Sequence, residues 1–110
     1  MSLTAQHCID GAPALDEASI TALLPQIPDW SATGATLRRS FAFKNWREGL
    51  AFANAVSSMV EQQNHHPVLM LSYRACELAF TTHAAGHQIS LNDFICAARA
   101  DAIYAGQAHG

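Results

Sequence analysis

The chain of 110 residues is poor in charge: Asp, Glu, Lys and Arg make up 14% of it, and the formal net charge is -3. It has no stripe or cluster of Lys and Arg, which argues against direct nucleic-acid binding. Cysteine is sparse as well. Cys8, Cys76 and Cys96 are odd in number, far apart, and form no CxxC pair. That argues against a disulfide framework and a cysteine-rich zinc site. Three small hydrophobes in a reducing compartment is the simpler reading. No apolar run approaches the length of a membrane span. Met1 to Ala12 lack a basic segment followed by an apolar stretch, so no signal peptide is expected. Internal repeats and low-complexity linkers are absent. These absences leave a soluble, cytoplasmic chain with room for one domain over 1–110 and not for two.

Half of the residues are hydrophobic, enough for a packed core. Residues 1–12 read as a loose lead-in and 106–110 as a frayed tail, which places the ordered core at about 15–104. A first helix is expected from Asp16, its cap, with Ile20, Leu23 and Leu24 as its apolar stripe and Pro25 and Pro28 as its end. Trp30 opens a short extended piece that turns at Thr33-Gly34 into Thr36 to Phe43. There Leu37, Phe41 and Phe43 share one face, while Arg38 and Ser40 point the other way. Asn45-Trp46-Arg47-Glu48 has the form of a capping box. The helix it opens carries Trp46, Leu50, Ala53, Val56 and Val60 at helical spacing and ends near Gln63, because Pro67 disfavours helical geometry at His66. Leu69 to Arg74 and Cys76 to Thr82 predict an antiparallel hairpin. Ser90-Leu91-Asn92-Asp93 is a second capping box, opening a helix to about Tyr104 with Phe94, Ala97, Ala98 and Ala102 on its packing face. The order helix, two strands, helix, two strands, helix predicts an α+β fold: a four-stranded antiparallel sheet with helices packed on one face. Its edges are free to pair with another subunit.

Six histidines are concentrated in this short chain. His7 and His109 fall in the expected loose ends and receive no role, and His87 reads as a solvated loop residue. His65 and His66 lie at a helix exit and His83 at a strand end, where a rigid scaffold presents side chains to a ligand. A group that titrates near neutrality can either give or take a proton. Glu61, one helical turn before His65, is spaced to hydrogen-bond to it and favour its charged form. Three histidines and Glu61 could also supply zinc ligands. But His65 and His66 are adjacent, so their side chains diverge, and no HExxH pattern is present. Spacing therefore favours acid–base chemistry over a metal, and no metal or cofactor is expected.

Taken in order, Glu61-Gln62-Gln63-Asn64-His65-His66-Pro67, Tyr73, Thr81-Thr82-His83 and Asp93 resemble the signature of the pterin-4a-carbinolamine dehydratases. Leu15 to Ala18, Trp30, Phe41 to Lys44 and Leu91 to Asp101 add to the likeness, which runs from about Leu15 to Ile103. The resemblance implies the α+β fold read above and association into homodimers or homotetramers. It implies a small-molecule pterin substrate and conversion of 4a-hydroxytetrahydropterin to quinonoid dihydropterin and water, without a metal. That reaction regenerates the cofactor of aromatic amino-acid hydroxylases. By matching positions, His65 and His83 would be the acid–base pair, His66 would bind and polarise the pterin, and Glu61 would support His65. Asn64, His65, His66, Thr81, Thr82, His83 and Ala84 would line the substrate site. Asp93 would be the family's aspartate, although a helix-capping carboxylate accounts for it as well. Trp30 could close the site, with a core or interface role as the simpler account, and Tyr73 reads as sheet packing. Two other roles stay open: a pterin-binding protein of molybdenum-cofactor metabolism, and a protein-interaction module of the kind animal members provide to a homeodomain transcription factor.

Overall fold

The computed structural model describes residues 2–107. Its elements are α1 (Glu17–Leu23), β1 (Ser31–Thr33), β2 (Thr36–Ala42), α2 (Trp46–Gln63), β3 (Val68–Ser72), β4 (Ala75–Phe80) and α3 (Leu91–Gly106). The four strands form one antiparallel sheet in the order β1-β2-β4-β3. The expected α+β architecture is therefore present. Register fixes which residues face the helices. Leu37 pairs with Phe80, Phe41 with Cys76 and Leu69 with Leu78, and because side chains alternate across a sheet, these residues share one face. Leu37, Phe41, Cys76, Leu78 and Phe80 are all fully buried there, beneath α2 and α3. The opposite face carries exposed Val68 and Met70 and the Arg38–Glu77 ion pair.

The helix starts follow local chemistry. Asp16 Oδ1 accepts from the Ser19 amide at 2.8 Å, and Asn45 Oδ1 accepts from the Glu48 amide at 2.9 Å. Each such cap is worth about 1 kcal/mol. Only half of the box at Asn45 forms, since the buried Glu48 Oε1 has no hydrogen-bond partner. The box at Ser90 is complete. α2 ends at Asn64, which adopts left-handed geometry with φ 52°.

Three expected packing assignments need correction. The buried stripe of α2 is Gly49, Phe52, Ala53, Val56, Met59, Val60 and Gln63, whereas Trp46 and Leu50 are exposed. The helix is rotated so that Gly49 meets the sheet: a Cβ there would lie 3.2 Å from Leu71 Cδ1. On α3, Ile95, Cys96 and Ala100 join Phe94, Ala97 and Ala98 in the core, and Ala102 is exposed. Tyr73 does not pack on the sheet. It sits exposed in the two-residue turn between β3 and β4, with Arg74 over its ring.

The largest correction concerns the N-terminus. Residues 2–11 are not a loose lead-in but a strap across α2 and α3. Leu3 is buried in the core, and the Cys8 amide donates to Gln63 Oε1 at 2.8 Å. Asn92 brackets Ile9, with Oδ1 accepting from its amide at 3.1 Å and Nδ2 donating to its carbonyl at 2.8 Å. Arg99 donates to the Gln6 carbonyl, His7 contacts the Gln63 amide group, and Cys8 Sγ lies 3.6 Å from Cys96 Sγ. At the other end α3 continues to Gly106, and His109 lies outside the described residues. If the strap is structural, Leu3→Ala should destabilise the protein by about 2 kcal/mol or more in urea unfolding. A change below about 0.5 kcal/mol would mean that the strap contributes no core contact.

Candidate active site

The segments 64–66 and 81–84 line one cavity of about 290 Å³, joined by Asp10, Gly11 and Asn92. The left-handed turn at Asn64 ends α2 and splits the two histidines that follow. His65 turns inward, its ring stacked on Phe80 with 6.0 Å between centroids, while His66 stays half-exposed. β4 ends at Phe80, and Thr81 and Thr82 carry the chain to a 3-10 turn that starts at His83. His83 is exposed, and its ring meets that of His87 edge-on at 4.6 Å. Thr81 Oγ1 is buried and has no hydrogen-bond partner.

The carboxylate partner of His65 is not Glu61. His65 Nε2 lies 2.6 Å from Asp93 Oδ1, and Glu61 Oε1 lies 2.7 Å from His66 Nε2. The reason is the helix end. Had α2 continued, Glu61 and His65 would have shared a face, but the turn at Asn64 directs His65 beneath the start of α3. The Glu61–His66 pair is solvent-exposed and weak in its contribution to stability. Asp93 is fully buried. Its Oδ2 accepts from the Ser90 amide at 2.8 Å and from Thr82 Oγ1 at 2.7 Å. The capping role read for Asp93 is therefore real, and the same side chain also reaches His65.

The donors form a consistent chain. The Asn92 amide donates to Ser90 Oγ, Ser90 Oγ donates to Thr82 Oγ1, and Thr82 Oγ1 donates to Asp93. An ionised carboxylate only accepts, so the proton between His65 and Asp93 sits on Nε2. That leaves Nδ1 of His65 for a ligand. Burial disfavours the His65 imidazolium, but the hydrogen bond and negative charge of Asp93 outweigh it and hold the pKa above the ordinary histidine value.

Trp30 is not part of this site. Its ring lies in the core against Phe41 and Phe80, and its Nε1 donates to Asp101 Oδ1 at 2.8 Å. Asp101 also accepts from Arg39, whose guanidinium lies over Phe41. Among the described residues, no group of three His, Cys, Asp or Glu side chains is placed to share a metal ion. No helix among them is long and apolar enough to cross a membrane. Asp10, Gly11, Asn92 and His87 are cavity or site residues that motif reading did not supply. Asn92 and His87 carried a faint signal in their nearness to Asp93 and His83; Asp10 and Gly11 carried none.

The sequence profile of the family described as pterin 4 alpha carbinolamine dehydratase matches residues 13–103. The chain is 40% identical over 97 residues to a Nitrosospira multiformis protein named "Putative pterin-4-alpha-carbinolamine dehydratase", covering 88% of this chain and 85% of that one. A Chromobacterium violaceum protein of the same name is 38% identical over 104 residues, or 94% of this chain and 93% of the relative. Among solved structures, a transcriptional coactivator/pterin dehydratase from Brucella melitensis superposes with TM-score 0.78 at 22% identity, over 83% of this chain and 98% of that one. A pterin dehydratase-like protein identified as a RuBisCO assembly factor in the alpha-carboxysome gives TM-score 0.56 at 22% identity, over 72% and 89%. The structural likenesses establish a shared fold. The sequence matches establish more: the chain belongs to the pterin-4a-carbinolamine dehydratase family.

The His65–Asp93 pair makes stability depend on pH. The folded-state pKa of His65 is raised, so the stabilisation is fully present below the unfolded value of about 6.5 and is lost as pH rises through the folded pKa. Asp93→Asn should reduce that loss and lower the His65 pKa, because the two largest influences opposing burial, the hydrogen bond and the charge of Asp93, are then gone. Histidine proton NMR titration reads this directly, and an unmoved His65 titration would show that Asp93 does not govern it.

Proposed function

We propose that the protein dehydrates 4a-hydroxytetrahydropterin to quinonoid dihydropterin by histidine acid–base catalysis. The observation that carries this reading is the buried Asp93–His65 pair at a cavity that His66 and His83 also line. Family membership supports the substrate class. In the proposed step, His65 as imidazolium gives its Nδ1 proton to the 4a-hydroxyl. The carbon–oxygen bond breaks and water leaves with the bonding pair. The lone pair of the neighbouring ring nitrogen forms the new carbon–nitrogen double bond, and His83 takes the proton from that nitrogen. The raised pKa of His65 suits it to the acid role. His66, held by Glu61 at the rim, would bind and polarise the ring, and the unpartnered Thr81 Oγ1 would gain a partner from it. Asn64, Thr82 and Ala84 complete the wall around the pterin.

The proposal extends to recycling of a hydroxylase cofactor in the cytoplasm, and to a homo-oligomer. Exposed Trp46 and Leu50 on α2 and Val68 and Met70 on the open sheet face support self-association. The test is the rate of quinonoid dihydropterin formation from freshly generated 4a-hydroxytetrahydropterin, corrected for uncatalysed water loss. The wild-type chain should accelerate it, with or without prior exhaustive chelation. The His65→Ala/His83→Ala double variant should lose about 10²-fold or more. No acceleration by folded wild-type protein would sink the dehydratase reading, and activity that zinc restores after chelation would replace acid–base catalysis by a metal.

A further inference from the structure

Most polar side chains around the cavity are already engaged within the protein. His65 binds Asp93, His66 binds Glu61, Thr82 binds Asp93 and Ser90, and Asn92 binds the Ile9 backbone. Asp10 is different. It is the one carboxylate among the described lining residues, it is exposed, and no hydrogen bond or ion pair engages it. A carboxylate at a cavity rim is often merely solvated, but this one is delivered there by a specific construction. The two residues before it are pinned: Cys8 to Gln63 and Ile9, from both sides, to Asn92. Gly11 follows at φ 73°, a left-handed geometry that favours glycine and turns the chain at the rim. The family profile begins at residue 13, so the strap that carries Asp10 lies outside the matched segment.

We propose that Asp10 is a specificity residue that recognises the 2-amino-4-oxopyrimidine edge of the pterin, its carboxylate accepting from N3–H and from the 2-amino group. This rests on the reading of the cavity as a pterin site. That edge presents two donors side by side, and a carboxylate offers two acceptor oxygens at matching spacing. No other lining side chain does so. A 2-oxo ring puts an acceptor where the 2-amino donor stood, so the carboxylate both selects the pterin and rejects its 2-oxo analogue. The strap would then be the wall of the cavity that reads the ring, opposite in function to the histidines that act on it.

The experiment is a fluorescence titration of the full chain with pterin and with lumazine, its 2-oxo counterpart. The wild type should prefer pterin by about tenfold or more, the usual worth of hydrogen bonds to a charged group. Asp10→Asn and Asp10→Ala should lose that preference through weaker pterin binding, with lumazine binding unchanged or tighter. Neither variant removes a native hydrogen bond or ion pair, so both should keep the wild-type circular dichroism. Variants that retain the wild-type preference would overturn the assignment and leave the cavity a pterin site. A wild type that binds neither ring would overturn the pterin reading itself, and the role of Asp10 with it.

Discussion

The buried carboxylate of Asp93 is the interaction on which the site depends. An ionised carboxylate costs several kcal/mol to remove from water unless its lone pairs are satisfied. Here the Ser90 amide, the Thr82 hydroxyl and His65 satisfy them. Those donors come from three different places: the cap of α3, the exit of β4 and the exit of α2. One group therefore fixes where the last helix starts, how the strand-end loop is tied down, and which nitrogen of His65 is left for a ligand. The two segments that line the cavity meet because both are tied to this carboxylate. Removing it would leave the hydroxyl and amide donors unpaired as well as the histidine, so its loss is felt beyond a single pair.

The N-terminal strap is a second constraint, and it acts on the same place. Gln63 and Asn92 sit one residue from Asn64 and Asp93, so the groups that anchor the strap are neighbours of the groups that shape the site. Their side chains are spent on the strap, on the backbone of Cys8 and Ile9 and the ring of His7, rather than on a ligand. Burial of Leu3 and the contact between Cys8 and Cys96 hold the strap from the core side. The wall that carries His65 and the strap are thus set by adjacent residues of the same two helices. The exposed pairs, Arg38–Glu77 and Glu61–His66, add little to this rigidity.

Much of the fold was legible in the sequence because its signals are local. Asp16, Asn45 and Ser90 each stand at the cap position that the chain order gave them. The alternation of Leu37 with Phe41, and of Cys76 with Leu78 and Phe80, marks the buried sheet face correctly. What failed was non-local. The spacing of Glu61 and His65 assumed a helix that persists, and the left-handed residue at Asn64 breaks it. The true partner, Asp93, lies 28 residues away; it was legible as a cap and, by resemblance, as the family's aspartate, but not as the partner of His65. The strap gave no periodic signal at all, since polar side chains distant in sequence hold it. Trp46 and Leu50 matched the helical period yet lie off the buried stripe, because the close approach at Gly49 sets the rotation of α2.

In the proposed dehydration, Asp93 holds His65 as the acid. The most direct measurement is the pH dependence of kcat/KM by stopped flow, for the wild type and for Asp93→Asn. The wild-type profile should be bell-shaped, with a high-pH limb that reports loss of the His65 imidazolium. In Asp93→Asn that limb should move to lower pH, with activity near neutrality falling accordingly. A limb that stays in place, or a profile flat across neutrality, would mean that Asp93 does not hold His65 as the acid.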